Sequence, residues 1–551
     1  MSMSEFAEST PDAAQADTTL VGTAPADPAQ VQGSTAADRH ARGYAQFIAA
    51  SPSSYHAAAQ LAQILEAHGF TEQRETEAWE ARGARYVRRG GALIAWVSPR
   101  GAGNGELAPF RILGAHTDSP TLKLKPAGTS RHGGYTQVDM EVYGGPLLNS
   151  WLNRDLGLAG RITDMAGREY LVRTPACMVI PQLAPHLISG NRDTLSLDRQ
   201  QHLHPIFTGA RGDTYCAAGA DCADNAAHAD CTDNAAHAEA EADSSLGTDS
   251  DLFETLARYA QPRKDGREAP GAEWIGWHDI YAYDVEPPRR NGMYLSAGRQ
   301  DNLSSVYAGL RALLDGVTAG AGHVAGAAGQ TAENGAELPY FPVFAAFDHE
   351  EVGSETTSGA SGPFLETVLA RIAESFGVRG DSWYQLLAHS ACMSADAGHA
   401  LNPNYAEFYD PDSAPRAGAG PLIKMNAQQR YASDAESVTL ALRAASDAGA
   451  AYQFFISRNS IPCGTTIGPL TATRLGISTV DVGVPLLSMH SARELSHVED
   501  LYQLRRLIRG FLFGQGAATL PDADLADIEN PADLTDTGGG AGPSAESERN
   551  E

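Results

Sequence analysis

Five segments of the chain each carry a histidine or a carboxylate where a strand should end or a helix begin. The first is Ala115-His116-Thr117-Asp118, which follows the expected strand 110–114. Residues two apart on an extended segment point to the same side, so His116 and Asp118 can face one site. A metal-bound imidazole usually donates its other N–H to a carboxylate or carbonyl, which fixes its tautomer and orientation. The pair therefore supplies a ligand and its support together, with a polar strand terminus as the alternative. Asp301, in Gly298-Arg299-Gln300-Asp301-Asn302-Leu303, stands just before a helix, where a helix cap is the simpler reading. The segment 341–347 is uniformly apolar, as a buried parallel strand is, and runs into Asp348-His349-Glu350-Glu351. Adjacent carboxylates at such a place raise each other's pKa unless something positive compensates them. A metal pair would do so, leaving one Glu to ligate and the other free as a general base; a solvated loop would also accommodate them. Asp396 follows strand 390–395, and His490 lies beyond strand 478–482 in Leu487-Ser488-Met489-His490.

Capping alone does not account for five such segments. Ligands in open α/β sheets lie beyond the carboxyl ends of the strands, where most of these residues fall. Two histidines and three carboxylates suit Zn2+, with Mn2+ or Co2+ also fitting the donor set. Three ligands per metal with one shared carboxylate is the arithmetic of a pair roughly 3.5–4 Å apart. No cysteine accompanies the set, so a catalytic site is expected rather than a closed structural one.

The elements that must position these residues read as a layered α/β unit. Helices are expected at 37–50 and 54–68, then strands at 92–97 and 110–114. From 121 to 293 the pattern turns to β-type segments, such as 136–143 and 170–180, with no helical alternation between them. After 293 come helix 303–314, strand 341–347, helix 363–376, strand 390–395, helix 435–448, strand 452–456 and helix 498–512. The expected organisation is thus a discontinuous catalytic domain at 37–120 and 294–515, with a β-rich domain at 121–293 inserted in it. Tails at 1–36 and 516–551 lack the apolar bulk to order themselves. Two low-complexity stretches interrupt the plan, a Gly/Ala-rich one at 320–335 and an acidic near-repeat at 216–243. The repeat's Cys222, His228, Cys231 and His237 are zinc-type ligands, but their spacing matches no familiar finger, and a disordered insertion is the expectation.

With 551 residues, 42% of them hydrophobic, most of the chain should fold. A net charge of −28 argues against nucleic acid or an anionic membrane as partner, since both need clustered Lys and Arg. No signal peptide and no run of membrane-spanning length is visible, and six cysteines form no disulfide framework. A cytoplasmic location is the expectation.

Taken together, Gly114-Ala115-His116-Thr117-Asp118-Ser119-Pro120, Asp301-Asn302, Glu350-Glu351-Val352-Gly353-Ser354, Ser394-Ala395-Asp396, Gly464-Thr465-Thr466-Ile467-Gly468-Pro469 and Ser488-Met489-His490-Ser491 resemble the aspartyl aminopeptidase family of zinc metallopeptidases. The resemblance runs from about residue 42 to 513. It implies an α/β zinc-peptidase domain with a β-rich oligomerisation domain inserted, two zinc ions per subunit and assembly into a dodecamer. It implies that His116 and Asp396 hold one metal, Glu351 and His490 the other, and that Asp301 bridges them. Glu350 would be the general base and Asp118 would orient His116. Lys424 looks like the family lysine that receives an acidic substrate side chain, against the alternative of a strand-end lysine in water. His186 looks like a histidine reaching a neighbouring subunit's site, although Pro185 restricts the backbone before it. The activity implied is removal of N-terminal Asp or Glu from peptides with a free N-terminus. Competing readings are a related two-metal carboxypeptidase or deacylase, a structural oligomer with a vestigial metal site, and a zinc-buffering protein using the Cys/His repeat.

Overall fold

The computed structural model describes residues 35–99, 105, 107–191, 193–209, 249–263, 266–320 and 338–514. The Cys/His repeat at 216–243, the stretch 321–335 and both tails, apart from residues 35 and 36, lie outside the described residues.

Four largely buried strands form the centre of the molecule. Phe110–His116 lies parallel to Phe341–Phe347 on one side and to Ala391–Ala395 on the other, and Ala391–Ala395 lies parallel to Ser478–Gly483. Every residue of the first three is buried, which is why none of them alternates polar and apolar positions. They belong to a nine-stranded sheet in the order Thr71–Glu72, Ala84–Arg89, Ala92–Val97, Phe341–Phe347, Phe110–His116, Ala391–Ala395, Ser478–Gly483, Leu422–Met425, Gln453–Ile456. Helices Ala36–Ala50, Ser54–Ala67, Gln300–Gly320, Ala435–Ala448 and Val498–Phe513 contribute to the core on one face. Helices Phe364–Ser375, Asp381–His389 and Ile467–Leu475 contribute to the core on the other. This is the layered α/β arrangement that the sequence pattern implies.

Residues 121–284 make a second sheet of seven strands. Leu156–Asp164 also pairs with Ile275–Asp284, so the sheet closes on itself. It has its own core, with Leu122, Val138, Leu158 and Ile280 at its centre. Two expectations for this region need correction. It does contain a helix, Asp249–Arg258, which inserts Leu252 and Leu256 at i, i+4 spacing into that core. The strand expected over 170–180 is broken into Glu169–Arg173 and Met178–Val179. Pro175 lies in the gap, where it removes a ladder donor. Among the described residues no helix is long and apolar enough to cross a membrane.

Candidate metal centre

His116 is the last residue of its strand, and its imidazole is buried at the carboxyl end of the parallel strands. Nε2 lies 3.3 Å from Asp396 Oδ1 and 3.5 Å from Asp301 Oδ1. On the ring's other side, Nδ1 lies 3.1 Å from the Asp118 carbonyl oxygen and 3.4 Å from Asp118 Oδ1. The Asp118 carboxylate is itself held, accepting the N–H groups of Glu350 (3.0 Å) and Glu351 (3.1 Å). His490 Nε2 lies 3.2 Å from Asp301 Oδ2 and 3.7 Å from Glu351 Oε2. The two oxygens of Asp301 are therefore divided, one toward each histidine. Asp301 and Asn302 depart from helical backbone at the start of Gln300–Gly320, and the Asp301 carboxylate faces imidazoles instead of serving as a cap. Asn302 donates through Nδ2 to the carbonyl of Ala395 (2.8 Å), tying this helix start to the strand that presents Asp396.

This arrangement fits zinc in three respects. Two donors each about 2.0–2.1 Å from a tetrahedral ion stand about 3.3 Å apart, close to the separations seen among these donor atoms. Asp301 Oδ1 and Glu351 Oε1 are buried and have no hydrogen-bond partner. Donor atoms of His116, Asp301 and Glu351 all fall within 4.8 Å of one another. The electrostatics agree. Burial pushes the Glu350 carboxyl up to about 8. Burial, reinforced by the charge of Asp301, holds Glu351 well above the usual range. For His116, burial works against the charged form, yet the surrounding carboxylates of Asp118, Asp301 and Asp396 outweigh it and raise the imidazole well above its ordinary value. His490 is likewise raised to about 9, its burial outweighed by Asp301. The histidine shifts report surrounding buried negative charge and the glutamate shifts report burial, and a divalent cation relieves both.

The five expected ligands, Asp118 and Glu350 thus meet at one place. Lys424 and His186 do not join them. Lys424 is fully buried rather than in water; its ammonium donates to the Ala397 carbonyl (2.7 Å) and lies 5.3 Å from the centre of the Tyr431 ring. Tyr431 also lines a cavity of about 180 Å³ together with His399, Asp410, Phe455, Arg458 and Cys463. His186 lies on the turn Pro185–Leu187 of the β-rich region and is exposed.

One residue escaped the sequence reading although it lies four positions after His490. Glu494 is buried and accepts the N–H groups of Gln300 (2.6 Å) and Asp301 (3.1 Å) on Oε2, and that of His490 (2.8 Å) on Oε1. The only sequence signal for it was an acidic residue in an otherwise β-type segment, Glu494–His497.

Comparison with known proteins gives a match to the family described as aminopeptidase I zinc metalloprotease (M18) over residues 47–257 and 272–512. A relative in Streptomyces avermitilis, named as a probable M18 family aminopeptidase 2, is 43% identical over 481 residues, 86% of this chain and 98% of its own length. Among solved structures, that of the Ape4 and Nbr1 complex is similar with a TM-score of 0.71 at 31% identity, covering 88% of this chain and 87% of that one. The structure of the S. cerevesiae mApe1 dodecamer is similar with a TM-score of 0.65 at 24% identity, covering 87% and 97%.

Proposed function

The chain belongs to the M18 family of zinc aminopeptidases, and from that premise we propose that it hydrolyses N-terminal, preferentially acidic, residues from peptides at a two-zinc site with Glu350 as general base. It is a metalloaminopeptidase, which sets aside the carboxypeptidase, deacylase and structural readings. The observation that carries the two-metal reading is the division of the Asp301 oxygens between His116 and His490. His116, Asp396 and Asp301 would hold one ion; Glu351, His490 and Asp301 would hold the other. Zinc bound there supplies Lewis acidity toward water and toward the scissile carbonyl.

The chain's own groups then divide the remaining work. Glu350 takes the proton of the attacking water as the new C–O bond forms, and returns it to the departing amine as the C–N bond breaks. Asp118 holds His116 in one tautomer with Nε2 free of its proton. The acidic surroundings favour a free α-ammonium group, which restricts hydrolysis to the N-terminal bond.

Preference for Asp or Glu rests on Lys424. Its ammonium donates to the Ala397 carbonyl and lies 5.3 Å from the centre of the Tyr431 ring, and Tyr431 lines the adjoining cavity. His186, exposed on the β-rich region, is free to reach a neighbouring subunit, and the dodecameric relative supports a homo-oligomer of that size. We assign the protein to the cytoplasm.

The test is a panel of N-terminal aminoacyl substrates with wild type, Glu350→Gln and Lys424→Ala, zinc content being measured throughout. Glu350→Gln should keep its zinc and lose roughly 10²–10⁴-fold in kcat; wild-type turnover in this variant would remove the base. Lys424→Ala should lower kcat/KM for Asp substrates relative to Leu substrates. An Asp-to-Leu ratio that is flat in the wild type would remove the acidic preference.

A further inference from the structure

We propose that segment 143–150 of the β-rich region is a working part of the metal centre, positioning both ligand histidines so that zinc affinity depends on its contacts. The proposal rests on the reading of His116 and His490 as ligands.

Each histidine presents Nε2 to the carboxylates and leaves Nδ1 to be held by something else. A ligand imidazole is oriented by whatever accepts that second N–H, and such partners matter nearly as much as the ligands themselves. For His490 the partner is the carbonyl of Gly145, which accepts from Nδ1 at 3.0 Å. For His116 it is Asp118, whose carbonyl oxygen lies 3.1 Å and whose Oδ1 lies 3.4 Å from Nδ1, and Oδ2 of the same carboxylate accepts from the hydroxyl of Tyr143 at 2.8 Å. Both supports therefore lead, directly or through one carboxylate, to two residues at the end of strand Tyr135–Tyr143.

The connection continues along the segment. Gly144 has φ +71°, and a Cβ there would stand 3.1 Å from Glu351 Cβ and 3.2 Å from the Glu351 carbonyl oxygen. The backbone thus passes directly against a third ligand, in a left-handed conformation that favours glycine. Leu147 donates its N–H to the His490 carbonyl (2.9 Å), and Ala492 donates its N–H to Ser150 Oγ (2.9 Å). These bonds close on a loop whose backbone is itself unfavourable, since Ser488 and His490 have φ of +55° and +66°. Residues with a Cβ persist in that region only where their surroundings hold them there. Segment 143–150 forms one side of that hold, and Glu494 forms the other.

Ordinary packing at a junction would produce contacts but not this dependence of metal affinity, so the two accounts separate experimentally. Tyr143→Phe keeps the ring, which packs edge-on against Tyr281 at 5.3 Å, and removes only the hydroxyl. In the full chain it should weaken zinc binding about 10–100-fold, measured by competition with a chromophoric chelator. The zinc-free protein should lose some stability with this hydrogen bond, the zinc-loaded protein should lose more, and kcat should recover as zinc is raised. Gly144→Ala, which presses on Glu351, should also weaken zinc binding. Wild-type zinc affinity in both variants would overturn the proposal, as would an equal fall in melting temperature with and without zinc. A wild-type chain that binds no zinc would instead overturn the metal reading beneath it.

Discussion

Glu494 touches neither metal nor substrate in the proposed reaction, yet its three hydrogen bonds reach the backbone of the bridging ligand and of one terminal ligand. Both of its oxygens act only as acceptors, and every partner is a backbone donor. Glu494→Gln turns one acceptor into an NH2 group that faces those donors. A buried donor left without its acceptor costs about 1–3 kcal/mol, and the misplaced ligands should lower zinc affinity as well. Urea unfolding of the zinc-free protein and a zinc titration should therefore both shift; wild-type behaviour in both would show that the loop and the helix start hold themselves. The contrast with the ligands explains what was legible at this scale. His116, Asp301, Glu351, Asp396 and His490 are chemically conspicuous because acids and imidazoles at strand ends need a reason. Glu494 and Tyr143 act through groups that every chain carries or through a single hydroxyl, and no spacing rule points to them.

The helix Gln300–Gly320 lies close against the parallel strands, and Gly309 sets that distance. A Cβ at Gly309 would stand 2.2 Å from Leu113 Cδ2 and 2.9 Å from the Phe344 ring. In an exposed helix, exchanging Gly for Ala gains about 1 kcal/mol, whereas forcing a methyl into a packed core costs about 1–3 kcal/mol. The second effect should win, so Gly309→Ala is expected to lower stability by roughly 1 kcal/mol, read as a lower urea midpoint at unchanged m. A higher midpoint would mean that helix and sheet can move apart freely. The long buried strands and amphipathic helices were readable because one face or both faces of each is apolar. Helix Ile467–Leu475 was not, since Gly468 and Pro469 open it; the first turn tolerates proline because its N–H groups have no helical partner anyway. Helix Asp381–His389 is only nine residues long and lacks a side-chain cap, and strand Leu422–Met425 is too short for its alternation to register.

Across the whole molecule, the proposed ligands are drawn from segments separated by as many as 374 positions, from His116 to His490. The alternation of patterns in the sequence was enough to divide the chain into an α/β sheet and a β-rich insertion, but not to reveal that the two meet at the ligands. Contacts such as Tyr143 to Asp118 depend on how one sheet is seated against the other, which local periodicity does not encode. This topology has a thermodynamic consequence. Without a cation, the centre places Asp301, Glu351, Asp396 and Glu350 together, with buried oxygens left unpartnered. A cation that binds the folded chain and not the unfolded one stabilises it by about 2.7 kcal/mol at a free concentration 100 times its Kd. Exhaustive chelation should therefore lower the melting temperature and abolish turnover together, and zinc should restore both. Manganese or cobalt should restore them in proportion to affinity for this donor set. Melting that is unchanged by chelation, while turnover is lost, would show that the carboxylate cluster is supported well enough by its own hydrogen bonds to fold without the metal.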